Sequence, residues 1–342
     1  MIKPKRLTRG DKAAVVSLSS GSLGEEKLIH KFDIAKNRFA QYGIELVAMP
    51  HALKGKKYVY EYPEQRAADL MQAFSDLEIK AVICAIGGDD TIRLLPYIDF
   101  DLIRNNPKIF TGYSDTTSNH FMMYKAGLVS YYGGNLMCDF GEYVEMNPYF
   151  KSSFENTLLN PKPTLDIPCS DFYACECDKV HWGIENMDKK PKLHKNKGYE
   201  ILQGHGKVTG ELMGGCLEVF TELTYTDLWH GVNWEGKLLL IETSEDDQGP
   251  DFLLWNLRGM AADGMFDKIN GIVMGKPDYE DKYEPYKNIL KQALREAGRE
   301  DLPVLYNVNV GHAYPIGIFP LGLKYEIDCD NKRFTLLEQA TE

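Results

Sequence analysis

Ser114, Glu242 and His312 are three side chains whose types and settings can combine into hydrolytic chemistry. Lys108-Ile109-Phe110-Thr111-Gly112-Tyr113 reads as a strand that stops at a glycine, and Ser114-Asp115-Thr116-Thr117 opens the helix that follows. At such an elbow a serine hydroxyl stands above the sheet beside helix N–H groups, the placement of a nucleophile. Glu242 ends the apolar run Leu238-Leu239-Leu240-Ile241. His312 follows a strand and is held between Gly311 and the rigid run Pro315 to Pro320. A carboxylate that orients an imidazole, and an imidazole that takes the serine proton, complete a triad in a known chain order. Plainer roles stay open. Serine is a preferred helix N-cap, and Glu242 begins the polar series Glu242, Glu245, Asp246, Asp247. His120, on the helix after Ser114, is a rival base, although its helical position points it to a different face.

Gly87-Gly88-Asp89-Asp90 follows a buried strand and precedes a short helix. Two glycines let a backbone approach a ligand closely and leave N–H groups free to meet an oxyanion. A tight turn capped by aspartate is the simpler account of the same residues. With Ser114 on a neighbouring strand end, the N–H groups of Gly88 and Asp115 would flank an acyl oxygen attached to Ser114.

These positions require a parallel sheet. Short apolar strands at Ala13–Leu18, Ile44–Met49, Ala81–Ile86, Lys108–Tyr113 and Leu128–Tyr132 alternate with helical patterns, and Gly43 and Gly127 act as helix stops. Strands apolar on both faces belong to a sheet covered on each side, with ligands beyond the carboxyl ends. From 161 to 206 the pattern lapses into prolines and lysines, which reads as a linker and long loop with Trp182 near its middle. Strands at Lys237–Thr243, Gly271–Gly275 and Val304–Val310, with helices at Pro250–Ala262 and Glu284–Ala297, form a second α/β domain over 207–342, closed by a hairpin from Lys324 to Leu337. The nucleophile domain covers 1–160.

A 342-residue chain with 44% apolar and 26% charged residues is an ordinary globular one. The net charge of −11 argues against a nucleic-acid polymer as partner. Lys54-Gly55-Lys56-Lys57 and Lys189-Lys190 read as solvated loops. The basic start Met1 to Arg6 lacks an apolar run for a signal peptide, and no stretch suits a membrane span. Cys175-Glu176-Cys177 has the wrong spacing for a zinc knuckle; the seven cysteines are expected to be free thiols in a cytoplasmic protein.

Taken together, Gly112-Tyr113-Ser114-Asp115, Gly87-Gly88-Asp89-Asp90, Gly210-Glu211-Leu212-Met213-Gly214-Gly215, Ile241-Glu242-Thr243 and Gly311-His312 with Pro320-Leu321-Gly322 resemble the LD-carboxypeptidase family of serine peptidases, which includes the microcin C immunity proteins. The resemblance implies Ser114 as nucleophile, His312 as base, Glu242 as its orienting acid and the Gly88 and Asp115 N–H groups as oxyanion hole. It implies no cofactor and no metal, and a homodimer. The implied architecture is a flavodoxin-like parallel-sheet domain with a smaller, swivelling, barrel-like α/β domain, the site lying between them. One branch of the family removes D-alanine from a murein tetrapeptide. The other cleaves an acyl-sulfamoyl-adenylate amide, and this chain is similar to it in carrying GGDD and a loop tryptophan. Gly87, Asp89 and Trp182 are then substrate-binding candidates, with Trp182 either stacking on a nucleobase or pinning the loop. Cys216 departs from the asparagine of many relatives.

Two readings from other classes compete. Gly87-Gly88-Asp89-Asp90-Thr91 is one residue from the GGDGT loop of small-molecule kinases, but Asp90 puts a carboxylate where phosphate must approach. A catalytically inactive binding protein is the other, and the intact Ser114, Glu242 and His312 argue against it. The expected partner is a small peptide or peptidyl-nucleotide substrate.

Overall fold

The computed structural model describes every residue except Asp247, so the last member of the acidic series after Glu242 lies outside the described residues. Strands β1 (Lys12–Val16), β2 (Glu45–Ala48), β3 (Ile79–Cys84), β4 (Ile109–Gly112) and β5 (Ser130–Tyr132) form a parallel sheet in the order β2-β1-β3-β4-β5. This is the flavodoxin-like strand order, with its ligand crevice between β1 and β3. Residues Ala81 to Cys84 of β3 and all of β4 are buried, as strands covered on both faces must be. Helix Pro63–Ser75 starts on its proline, and helix Thr117–Ala126 ends on Gly127 at φ 82°.

The remaining strands are β6 (Leu165–Ile167), β7 (Phe172–Tyr173), β8 (His194–Lys195), β9 (Glu200–Gln203), β10 (Lys207–Cys216), β11 (Leu238–Glu242), β12 (Gly271–Gly275), β13 (Val304–Val308), β14 (Phe319–Leu321), β15 (Lys324–Asp328) and β16 (Arg333–Leu336). Eight of them build a second, mixed sheet in the order β6-β16-β15-β10-β11-β12-β13-β9. The segment read as linker and loop thus supplies both edge strands of this sheet, β6 and β9, and the separate ribbon β7-β8. The first sheet also borrows from the far end of the chain. β14 pairs antiparallel with β5, and Pro320, which has no N–H to donate, is tolerated because β14 is an edge. Two sheets are therefore present as expected, but they are not cut from two separate stretches of sequence. Gly55, Lys56 and Lys57 lie in a helix, Gly55–Glu61, rather than a loop.

The two sheets meet at the end of β10. A Cβ on Gly214 would collide with the Leu240 backbone, and one on Gly215 would lie 2.6 Å from Thr117 Oγ1. Both glycines also have φ near 140–150°, at 141° and 152°. A side chain at Gly214 would push β10 from β11, and one at Gly215 would push the second sheet off the helix that follows the elbow serine. Among the described residues, no helix is long and apolar enough to cross a membrane.

Candidate active site

Ser114 stands between β4 and helix Thr117–Ala126, half-buried, with φ 66°. That left-handed backbone costs a non-glycine residue on the order of 1–3 kcal/mol, and such strain collects at functional sites. Neither the short turn Ser114–Thr116 nor the helix after it has a side-chain cap, so the N-cap role open to this serine in the sequence is not the one it plays. Thr117 Oγ1 donates to the Ser114 carbonyl (2.7 Å) and accepts from the Cys216 N–H (3.0 Å), tying the elbow to the second sheet.

A cavity of about 510 Å³ opens beside it, with Gly87, Gly88, Ser114, Trp182, Glu245 and His312 on its wall. A Cβ at Gly87 would lie 2.7 Å from Ser114 Cβ and 2.9 Å from its Oγ, so only glycine lets the loop come this close. The loop is locked to the elbow by the buried Asp115 carboxylate. It accepts from the N–H groups of Asp90 (3.1 Å) and Thr91 (2.9 Å), from Thr91 Oγ1 (2.6 Å) and from the Ser19 hydroxyl. The expected oxyanion donors, the N–H groups of Gly88 and Asp115, belong to the two segments joined in this way. Asp90 is drawn inward by Arg66 (2.6 Å) and Arg93 (2.7 Å), occupying guanidinium groups that a phosphate would need. Asp89 is left exposed between these anchors and does not reach the cavity wall, unlike Gly87 and Trp182.

Glu242, at the end of β11, is fully buried. Its Oε2 accepts from His312 Nδ1 (2.8 Å) and its Oε1 from the Tyr132 hydroxyl (2.5 Å). A Cβ on Gly311 would overlap the Glu242 carboxylate, which explains the glycine before the histidine. Tyr132 also accepts from the Ser114 N–H (3.2 Å), so one phenol links the Ser114 backbone to the Glu242 carboxylate. Sequence reasoning missed it. Its only signal is a tyrosine at the end of the strand beside β4. His120, the rival base, is buried beneath the elbow with both ring nitrogens engaged, by Ser130 Oγ and the Gly112 carbonyl (2.8 Å each). Burial drives its pKa down to about 4, leaving it a neutral core residue.

The second nitrogen of His312, Nε2, lies 3.2 Å from Glu245 Oε2. Burial disfavours the imidazolium, but Glu242 and then Glu245 outweigh it and raise the pKa to about 9. A base works only deprotonated, so kcat/KM is expected to rise with pH through about 9 rather than the ordinary ~6.5. Glu245→Gln should move that limb to lower pH. A limb that stays in place would show that Glu245 leaves His312 before substrate binds.

Cys216 Sγ, Glu242 and His312 place their ligand atoms within 4.8 Å of one another, a spacing a metal ion could bridge. The groups are already committed, however. The thiol donates to Glu218 Oε2 (3.1 Å), and burial with the nearby Glu242 and Glu218 holds it well above the usual thiol pKa, far from the thiolate a metal takes. All seven cysteines are free.

Trp182 is half-buried on the loop after β7, and the Tyr143 hydroxyl donates to its carbonyl (2.5 Å). The loop is tied to the second sheet by Lys179, whose ammonium meets Asp278 (2.6 Å) and Glu176 (2.8 Å).

The sequence matches the LD-carboxypeptidase N-terminal domain over residues 13–133 and the C-terminal domain over 209–327. It is 31% identical to the microcin C7 self-immunity protein MccF of Escherichia coli, over 89% of each chain. A structure of MccF in complex with aspartyl sulfamoyl adenosine aligns over 100% of both chains at TM-score 0.87 and 26% identity. The probable murein peptide carboxypeptidase of Bacillus subtilis is 30% identical, over 96% of this chain and 92% of its own. An MccF-like protein from Streptococcus pneumoniae, in complex with AMP, is 34% identical over 95% and 98%, at TM-score 0.86. By both domain matches and by full-length identity, the chain belongs to the LD-carboxypeptidase family and is a serine peptidase-type hydrolase.

Proposed function

We propose that this enzyme cleaves an amide bond of an aminoacyl-sulfamoyl-adenylate with Ser114, His312 and Glu242 as its triad. The observation that carries the reading is the continuous chain from the Ser114 N–H through Tyr132 and Glu242 to His312 at one cavity wall. His312 Nε2 takes the Ser114 proton as Oγ attacks the carbonyl carbon. The Gly88 and Asp115 N–H groups receive the negative oxygen. The imidazolium returns its proton to the leaving nitrogen, the amide C–N bond breaks, and water repeats the sequence on the acyl-serine. Glu242 holds the ring and balances its charge throughout.

Trp182 on the cavity wall supports the adenylate as substrate, in keeping with the aspartyl sulfamoyl adenosine held by MccF. The likeness to a murein peptide carboxypeptidase favours a second reading, release of D-alanine from a murein tetrapeptide. Turnover of the two substrates side by side, followed by product release, decides between them. Trp182→Ala should weaken binding of an aminoacyl-sulfamoyl-adenosine by ~1–3 kcal/mol of lost stacking, read mainly in KM, and barely affect the tetrapeptide. Equal sensitivity of both substrates would reduce Trp182 to a loop anchor.

A further inference from the structure

Two polar side chains on the cavity wall have no part in the triad and too few partners for their burial. Lys31 is 2% exposed, yet among the described residues no carboxylate oxygen lies within ion-pair distance of its ammonium. Among the described residues its ammonium donates to the Met137 carbonyl (3.2 Å), and it lies 4.1 Å from the Tyr143 ring centroid and 5.4 Å from that of Trp182. An ammonium has three donors, and among the described residues only one of them meets an oxygen. Asn135 is 0% exposed, and among the described residues neither its amide nitrogen nor its amide oxygen has a partner. Both residues border the cavity that holds Ser114.

The fold puts them beside the chemistry. Asn135 opens the turn Leu136–Phe140, and the Met137 N–H donates to the Ala85 carbonyl (3.0 Å), just before Gly87-Gly88. The same residue's carbonyl holds the Lys31 ammonium. Buried polar groups are ordinarily satisfied, and a buried cation ordinarily has a counter-charge. Here both residues border one cavity, whose wall also carries Trp182.

We propose that Lys31 and Asn135 form an oxyanion subsite that holds the negatively charged group on the leaving fragment of the substrate. The inference rests on the hydrolytic reading above and adds what the cavity selects. A nucleoside on Trp182 would carry its sulfamoyl or phosphoryl oxygens towards Lys31; a peptide would present the carboxylate of its departing residue. Both offer the same chemistry, oxygens that bear negative charge within a few bonds of the scissile nitrogen (in an acyl sulfamate, charge delocalised from that ionised nitrogen), to a cationic donor and an amide donor. Two acids share this wall, Asp139 and Glu142. Burial lifts them to about 7 and about 8 and lowers Lys31 to about 8, so burial disfavours the carboxylate charge that would otherwise neutralise the ammonium.

The test is equilibrium binding to full-length Ser114→Ala protein, which separates recognition from turnover. AMP is compared with adenosine, and a D-alanine-terminated tetrapeptide with its C-terminal amide. The charged member of at least one pair should bind about tenfold tighter, and Lys31→Met should bring that ratio close to one. Asn135→Asp, which sets a carboxylate against the anion, should invert it. Thermal unfolding checks that each variant is folded; should Lys31→Met fail to fold, Asn135→Asp decides. A preference confined to AMP identifies a nucleotide-type oxyanion, and one confined to the peptide acid identifies a terminal carboxylate. No charge preference in either pair, or a preference that both variants leave intact, overturns the proposal. Absence of turnover by the wild-type enzyme on both substrate classes would instead sink the hydrolytic reading and leave these binding ratios standing.

Discussion

Ser114→Ala is expected to lower kcat by up to about a millionfold while substrate binding stays close to that of the wild type. The asymmetry follows from the geometry. The hydroxyl caps no helix and its side chain borders the cavity, so little packing is lost with it. The bond it would form to the acyl carbon needs its hydroxyl oxygen, which alanine lacks. Steady-state turnover with calorimetric binding separates the two quantities. Retention of more than about a tenth of wild-type kcat would remove Ser114 from the reaction.

Glu242→Gln carries the next largest expected loss, on the order of ten-thousandfold in kcat, the size seen when a triad acid becomes an amide. A neutral amide at this buried position cannot balance an imidazolium, and its NH2 group can leave the His312 ring in the wrong tautomer. The same change removes the first of the two carboxylates that raise the His312 pKa, so whatever activity remains should have its pH limb displaced downward from about 9. Loss and displacement should occur together. A full loss with an unmoved limb would mean that Glu242 holds the fold rather than the base.

Much of this site was legible in the chain. An apolar strand, a glycine, a serine and a helical pattern specify an elbow from local rules alone, and β11 points at Glu242 because its apolar run ends there. Gly311 was visible as a glycine before a histidine, but the reason, overlap with the Glu242 carboxylate, needs two strands brought together. What stayed hidden is what depends on long-range pairing. Tyr132 is an ordinary strand tyrosine until β5 lies beside β4 and the second sheet delivers Glu242 to its hydroxyl. Asp115 was read for its N–H, whereas its carboxylate clamps the Gly87-Gly88 loop; Asp89, read as a ligand contact, is exposed. Segment 161–206 lacked periodicity because its strands are two to four residues long, too short to repeat a pattern. β14 is three residues around a proline, a sequence that resembles a rigid loop until an open edge receives it.

That borrowed strand has a consequence during synthesis. The ribosome releases β5 long before it makes β14, and at about 5–20 residues per second the gap between Tyr132 and Phe319 lasts roughly 10–40 s. Throughout that time the nascent first sheet offers the β5 edge unpaired, beside Tyr131 and Tyr132, to any neighbouring strand. His312 is made within the same final stretch, seven residues before Phe319. The edge is sealed and the proposed base arrives almost together, so a chain that stalls early keeps an open edge and lacks His312.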